Sequence, residues 1–286
     1  MQDIHKKIAH LGPPGTYAEQ AALFYLNWLR TNRGIPATLH PHTTIAQSLQ
    51  AVADQEAEIA VVPVENSIEG SVSMTLDTFW QLENLQIQLA LILPVNHTII
   101  SCANSLNEIN FVYSHPQALA QCQGWLSQFL PNVKLIPANS TTEALKGIKE
   151  NTNTAAIASS RAAEIYNLPI LAKGINDYPD NCTRFWVVSE HNHEFTSHSH
   201  TSLAFSLPAN LPGALVKTLQ IFADLNINLS RIESRPTKRY LGEYLFFLDI
   251  EADINSANMQ SALLELQEYT EILKIFGTYN VLEIDE

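Results

Sequence analysis

The chain has 286 residues, enough for about two domains at roughly 150 residues each. It is 46% hydrophobic and 16% charged, with a mean hydropathy of −0.03, which is the composition of a soluble globular protein and excludes a disordered or fibrous one. Sixteen Lys and Arg against 29 Asp and Glu give a net charge of −13, so no nucleic acid partner is expected, because phosphate-backbone binding needs a cationic face.

Three cysteines, Cys102, Cys122 and Cys182, stand at wide spacing with no CxxC pair. That pattern fits a reducing, cytoplasmic compartment and gives neither a disulfide framework nor a zinc signature. The N-terminus lacks an apolar targeting core, and the longest apolar stretch, Leu89 to Val95, is far short of the ~20 residues of a membrane helix. No membrane partner is expected.

Residues 8–190 read as strands alternating with helices. Ile8–Leu11 is the first strand, followed by the turn Gly12-Pro13-Pro14-Gly15 and a capping box, Thr16 with Glu19, ahead of an amphipathic helix. Glu58–Val64 is a buried strand that runs into the polar loop Glu65–Gly70 and a helix over 71–85. Asn110–Tyr113 is a strand ending in Ser114-His115-Pro116, and the proline suits the first turn of a helix over 117–130. Thr154–Ala158 repeats the pattern, with Ser159 and Ser160 heading the next helix. Two stretches, 86–101 and 177–189, are placed to carry the chain between two lobes. A polar, His-rich run over 191–200 reads as a linker. Beyond it the order is strand, helix, strand, strand, helix, strand, the split βαβ arrangement.

The chain has no P-loop, no GxGxxG after a strand, no HExxH and no GxSxG. What remains is four strand-to-helix junctions, at 12–16, 65–70, 114–117 and 159–161. In an open α/β sheet such ends face the ligand crevice, and free helix-start N–H groups attract anions, so a small carboxylate-bearing substrate follows. Each junction also has a plainer reading. Thr16, Ser114 and Ser160 can be simple N-caps, and Glu65 a solvated loop acid. Thr183-Arg184 is sharper, because alternation along the strand that ends in Phe185-Trp186 must turn one of the polar pair away from solvent. Cys182 lacks a local base and reads as a small buried hydrophobe. No carboxylate or cysteine frames the linker histidines as a metal site.

Together these segments resemble the prephenate dehydratase family. The likeness is carried by LGPPGTYAEQAA (11–22), VPVENSIEGSV (62–72), YSHPQALAQC (113–122), AAIASSRAAEIYNL (155–168) and NCTRFWVVS (181–189). The segment 211–236, with its GAL and ESRP signatures, resembles the ACT regulatory domain of the same enzymes. The resemblance implies an α/β fold with a two-lobed catalytic domain over 1–190, similar to type II periplasmic binding proteins. Lobe 1 takes about 1–92 and 178–190, lobe 2 about 93–177, with a linker over 191–200 acting as the mechanical joint and a ferredoxin-like βαββαβ ACT domain over 201–286.

The implied reaction removes the ring hydroxyl and ring carboxylate of prephenate as water and CO2, leaving phenylpyruvate for L-phenylalanine synthesis, with no cofactor and no metal. By analogy Thr183 assists the departing hydroxyl, Arg184 anchors a substrate carboxylate and Phe185 packs the ring, while Thr16, Glu65, Asn66, Ser67, Ser114, Gln121 and Ser159 surround the substrate and Gln117 is a weaker addition. L-Phenylalanine is the implied effector, held by Leu211, Gly213, Ala214 and Leu215 together with Glu233, Ser234, Arg235 and Pro236 between ACT domains of a homodimer or homotetramer. Arogenate in place of prephenate, and a non-catalytic amino-acid sensor, are the rival readings.

Overall fold

A computed structural model describes residues 5–190 and 197–284. Lobe 1 begins with β1 (Lys6–Leu11), α1 (Tyr17–Arg33), β2 (Ala37–His42), α2 (Ile45–Ala53), β3 (Ile59–Asn66), β4 (Gly70–Ser71), α3 (Ser73–Gln81) and β5 (Gln86–Pro94). Helix α1 starts where Thr16 Oγ1 accepts from the Glu19 N–H, and it ends at Gly34, whose left-handed backbone returns its N–H to Arg30. Strand β2 and helix α2 escape the sequence reading. β2 is an outer strand with alternating exposure, and its histidines and proline carry no apolar run.

The Glu65–Gly70 segment differs from the expected loop leading into a helix. β3 continues to Asn66 and folds back on β4, pairing Glu65 with Ser71 and Asn66 with Gly70. Helix α3 then starts without a side-chain cap. Asn66 Oδ1 takes over the turn by accepting from the N–H groups of Ile68 and Glu69.

Lobe 2 contains β6 (His97–Ile100), β7 (Phe111–Ser114), α4 (Pro116–Ala120), α5 (Gln123–Phe129), β8 (Lys134–Pro137), β9 (Thr154–Ser159), α6 (Ser160–Tyr166) and β10 (Ile170–Lys173). These form a five-stranded sheet in the order β10-β6-β9-β7-β8. The helix expected over 117–130 breaks after Ala120. Asp177, 53 positions from Gly124, accepts from the N–H groups of Gly124 (2.8 Å) and Trp125 (3.0 Å) and so starts α5 from outside. Local sequence holds no trace of that carboxylate.

The chain returns to the first sheet as β11 (Cys182–Ser189) and then builds β12 (His200–Ser206), α7 (Ala214–Asp224), β13 (Leu229–Pro236), β14 (Tyr244–Ile250), α8 (Ala257–Tyr269) and β15 (Ile272–Glu283). Part of the expected linker, 191–196, lies outside the described residues. The last strand is longer than the sequence suggests. Its first part pairs with β12, and its second part, Asn280–Glu283, pairs in parallel with Leu89–Ile92 of β5. The C-terminal sheet and the lobe 1 sheet are therefore one sheet, ordered β13-β14-β12-β15-β5-β11-β3-β1-β2.

One core spans this junction. Phe79 of α3 meets Trp186 of β11 and Phe276 of β15 edge-on, with centroids at 5.5 and 5.0 Å, and Phe247 of β14 stacks on Phe276. Gly277 sits where β15 steps between sheets, at φ +139°, and a Cβ there would lie 2.6 Å from the Ile87 carbonyl oxygen. Only glycine fits such a backbone and such an approach. Gly277→Ala should therefore lower the unfolding free energy by about 3 kcal/mol. Urea unfolding checks this, and an unchanged midpoint would show that the step between sheets relaxes without cost.

Candidate active site

Lobes 1 and 2 enclose a cleft of about 750 Å³, floored by the ends of β3 and β11 and walled by the start of α1, by β6 and by α4. Thr16, Asn66, Gln121 and Thr183 line it, as does Gln117. The side chains at its floor form a chain of hydrogen bonds with one direction. Because Asn66 Oδ1 is occupied by two backbone N–H groups, its Nδ2 must donate the other way, to Asn181 Oδ1 (2.8 Å), the Cys182 carbonyl (3.0 Å) and Thr183 Oγ1 (3.0 Å). Asn181 Nδ2 in turn donates to Gln121 Oε1 (3.1 Å), and Gln121 Nε2 donates to Glu69 Oε1 (3.2 Å). With a donated bond on its oxygen, the Thr183 hydroxyl keeps its own proton for the cleft.

His97 joins this chain with Nε2 at 3.0 Å from Gln121 Oε1. The Tyr17 hydroxyl donates to the Asn96 carbonyl (2.8 Å) and lies 3.2 Å from His97 Nδ1. Burial pushes the His97 pKa down, and the Gln121 bond offsets this only in part. A neutral ring with its proton on Nε2 satisfies Gln121. Among the described residues no Lys or Arg lines the cleft, and its single carboxylate is Glu69. An anion there would be held by neutral amides and hydroxyls.

Several expected site residues lie elsewhere. Arg184 shares the face of β11 with Trp186, which the C-terminal sheet covers. Its Nη1 reaches Asp249 of β14 (3.1 Å) and Glu65 (3.6 Å) and does not line the cleft. Asp249, 1% exposed, also takes Arg231 Nε (2.8 Å) and the Ser202 hydroxyl, so Arg184 belongs to a buried ionic cluster between domains. Phe185 lies one alternation deeper along β11 than Thr183, in the core beneath α1. The Ser114 hydroxyl is spent on the Ile157 carbonyl. Ser159 caps α6 and donates to the Gly15 carbonyl (2.9 Å). Ser67 donates to Asn181 Oδ1 and accepts from the Cys182 N–H, behind the cleft wall.

The lobes also meet beside the cleft. Gly15 contacts lobe 2 so closely that a Cβ would stand 3.1 Å from Ala162 and Thr142. Glu19 does not close the capping box on Thr16. Its carboxylate accepts from the Gly15 N–H (2.8 Å) and from Arg161 Nε (3.0 Å) across the lobe boundary. Burial would raise the Glu19 pKa, but Arg161 and Gly15 outweigh it and hold the carboxyl below its usual range.

On the C-terminal side, Glu233 accepts from Ser71 Oγ (3.1 Å), and Arg235 makes a two-pronged bond to Asp77 of α3 (3.0 Å each). Among the described residues no hydrogen bond or ion pair joins 211–215 to 233–236. Sequence reasoning missed Glu69, His97 and Asn181, although the first and last lie inside quoted motifs. Nothing local marks His97.

Residues 8–193 match the family described as prephenate dehydratase, and residues 201–268 match the ACT domain. A prephenate dehydratase of Methanocaldococcus jannaschii is 36% identical, over 98% of this chain and 100% of that one. The crystal structure of an Arthrobacter aurescens prephenate dehydratase in complex with L-Phe is 34% identical, superposes with a TM-score of 0.84 and covers 96% of this chain and 90% of that one. A structure described as a novel type of quorum-quenching acylase is 27% identical with a TM-score of 0.81, covering 97% and 98%. The chain is a two-lobed α/β protein with an ACT domain, and it belongs to the prephenate dehydratase family.

The histidines give a stability prediction. Burial holds His97 and His10 below an unfolded value near 6.5, so their contribution is complete above about pH 6.5 and is lost as pH falls through the folded values. The depressed Glu19 carboxyl adds a further loss at more acidic pH. The thermal unfolding midpoint should fall from pH 7 to pH 5, and His97→Gln should flatten part of that slope. An unchanged slope in the variant would clear His97 of a role.

Proposed function

We propose that this protein converts prephenate to phenylpyruvate, CO2 and water, with Thr183 as the residue that assists hydroxyl departure. The observation that carries this reading is the Asn66 Nδ2 bond to Thr183 Oγ1, which leaves the hydroxyl proton free for the cleft. As the ring C–OH bond breaks, its electron pair goes to oxygen. The pair of the ring carboxylate's C–C bond enters the ring, which becomes aromatic as CO2 leaves. The hydroxide takes up one proton from solvent to become water. Thr183 is a weak acid, so its contribution is a hydrogen bond to oxygen as charge develops there, worth about 10²–10³ in rate. Gln117 and the second N–H of the Gln121 amide are suited to the substrate carboxylates as neutral donors.

Acyl transfer fits less well. It needs a base beside the nucleophile, and the partner of Thr183 Oγ1 is an amide donor. Burial and the Asp177 carboxylate push the Cys122 thiol up to about 12, which removes it as a nucleophile. Arogenate has one observation in its favour, because the Glu69 carboxylate in the cleft suits an ammonium group better than a keto group.

Incubation with prephenate should yield phenylpyruvate, and kcat/KM for the two substrates separates the readings. Thr183→Val should lower kcat by about 10² with little change in KM, the pattern of a bond made only in the transition state. Near-normal turnover would remove Thr183 from its role.

The division into a catalytic part over 1–190, a linker over 191–200 and an ACT part over 201–286 belongs to this reading, as does a cytoplasmic location. The latter is supported by three free thiols. So does inhibition by L-phenylalanine at 211–215 and 233–236, in a homodimer or homotetramer joined through ACT domains. The L-Phe complex of the Arthrobacter relative supports the effector, and the outer position of β13, with Ile232 exposed, supports edge-to-edge assembly.

Gly213, left-handed before α7, frees backbone N–H groups for the effector carboxylate. An effector ammonium at Glu233 competes with Ser71, which pairs with Glu65 beside the catalytic floor. Asp77→Asn, which loosens Arg235, should shift the half-inhibitory phenylalanine concentration by about 5-fold or more. An unshifted titration would place the coupling elsewhere.

A further inference from the structure

We propose that Asn181 is a positioning residue for the dehydration: its single amide fixes the orientation of both Asn66 and Gln121, and through Asn66 it keeps the Thr183 proton pointed at the substrate. This rests on the role given to Thr183 above. Asn181 is 2% exposed and does not line the cleft. It stands on the second crossing between lobes, immediately before β11, with its carbonyl accepting from Asn66 and Ser67 of lobe 1 and its NH2 donating to Gln121 of lobe 2.

The polarity of the floor is closed at both ends. Two backbone N–H groups hold Asn66 Oδ1, and Glu69 takes the Gln121 NH2. Position 181 must therefore offer an acceptor on one side and a donor on the other. Serine is too short to do both and leucine does neither. An ionised aspartate offers only acceptors, so it drives Gln121 to turn over, away from His97 and toward a clash with Glu69. A protonated aspartate has the right polarity again, its carbonyl facing Asn66 and its O–H facing Gln121. Packing alone does not distinguish these two states of one side chain.

The test is the pH profile of Asn181→Asp, with Asn181→Leu and Thr183→Val beside it, each checked for a wild-type circular dichroism spectrum. Asn181→Asp should lose about 10² in kcat at pH 8 and recover at least tenfold as the pH is lowered and residue 181 takes up a proton. KM should change less than kcat, and Asn181→Leu should stay slow throughout. Glu69 and His97 reach residue 181 through Gln121, and Cys182 and Asp180 adjoin it in sequence. All four are common to the wild type and the variants, so the ratio of profiles isolates position 181.

A folded Asn181→Asp or Asn181→Leu with kcat within about threefold of wild type would overturn the proposal. So would a loss in Asn181→Asp that shows no acid recovery, which is the behaviour of a packing residue. If Thr183→Val turns over normally while Asn181→Asp shows its acid limb, Asn181 still orders the cleft through Gln121 and only the link to Thr183 fails.

Discussion

Strand β11 has a hydrogen-bonded neighbour on each side, β3 and β5, along almost its whole length. Few positions in a fold are held more firmly than the end of such a strand. It presents Thr183 at the floor of the cleft, Arg184 on the face toward the C-terminal domain and Phe185 in the core beneath α1. A bulge against β3 between Arg184 and Phe185 separates the wet end of the strand from the dry one. Three consecutive residues thereby enter three environments, and only the first is available to a ligand. Thr183 is thus held at the floor by ladders on both sides, and the Asn66 amide completes its orientation.

The cleft is organised by a hydrogen-bonded run of neutral side chains that ends on one carboxylate, Glu69. Cations near the floor are committed elsewhere: Arg184 and Arg231 converge on Asp249, and Arg161 answers Glu19. Burial would lower the pKa of Arg231, but Asp249 outweighs it and keeps the guanidinium charged. Such clusters are costly to desolvate and contribute more to fixing one arrangement than to net stability. The Asp249 cluster fixes the seat of the ACT sheet against β11, and the Arg161–Glu19 pair fixes the meeting of the two lobes. That leaves the cleft with no guanidinium or ammonium group in its lining among the described residues.

The alternation of strands and helices, the lobed catalytic part and the split βαβ order were legible because hydrophobic periodicity reports each element locally. Thr183, Asn66, Gln121 and Thr16 were legible as members of motifs. The fate of Arg184 was not, because its partner Asp249 is 65 positions away and reads as an ordinary polar residue in an apolar strand. Phe185 misleads differently: it follows Thr183 by two positions, and one step farther along β11 the strand is already covered by α1. The break before α5 depends on Asp177, and Glu19 abandons a local cap for a partner in the other lobe. In each case the deciding contact joins segments that composition and spacing treat separately.

The shared strand β15 changes what the ACT domain can do. A regulatory module tied on by a flexible tether alone could swing freely, but here Asn280–Glu283 are bonded to Leu89–Ile92, and Leu91 is bonded to Phe185. A twist imposed at the rim of the sheet thus has two ladder rungs to cross before it reaches the threonine. β15, Ile272–Glu283, is the one strand that the two halves of this sheet share, and without it β5 would lose its outer neighbour.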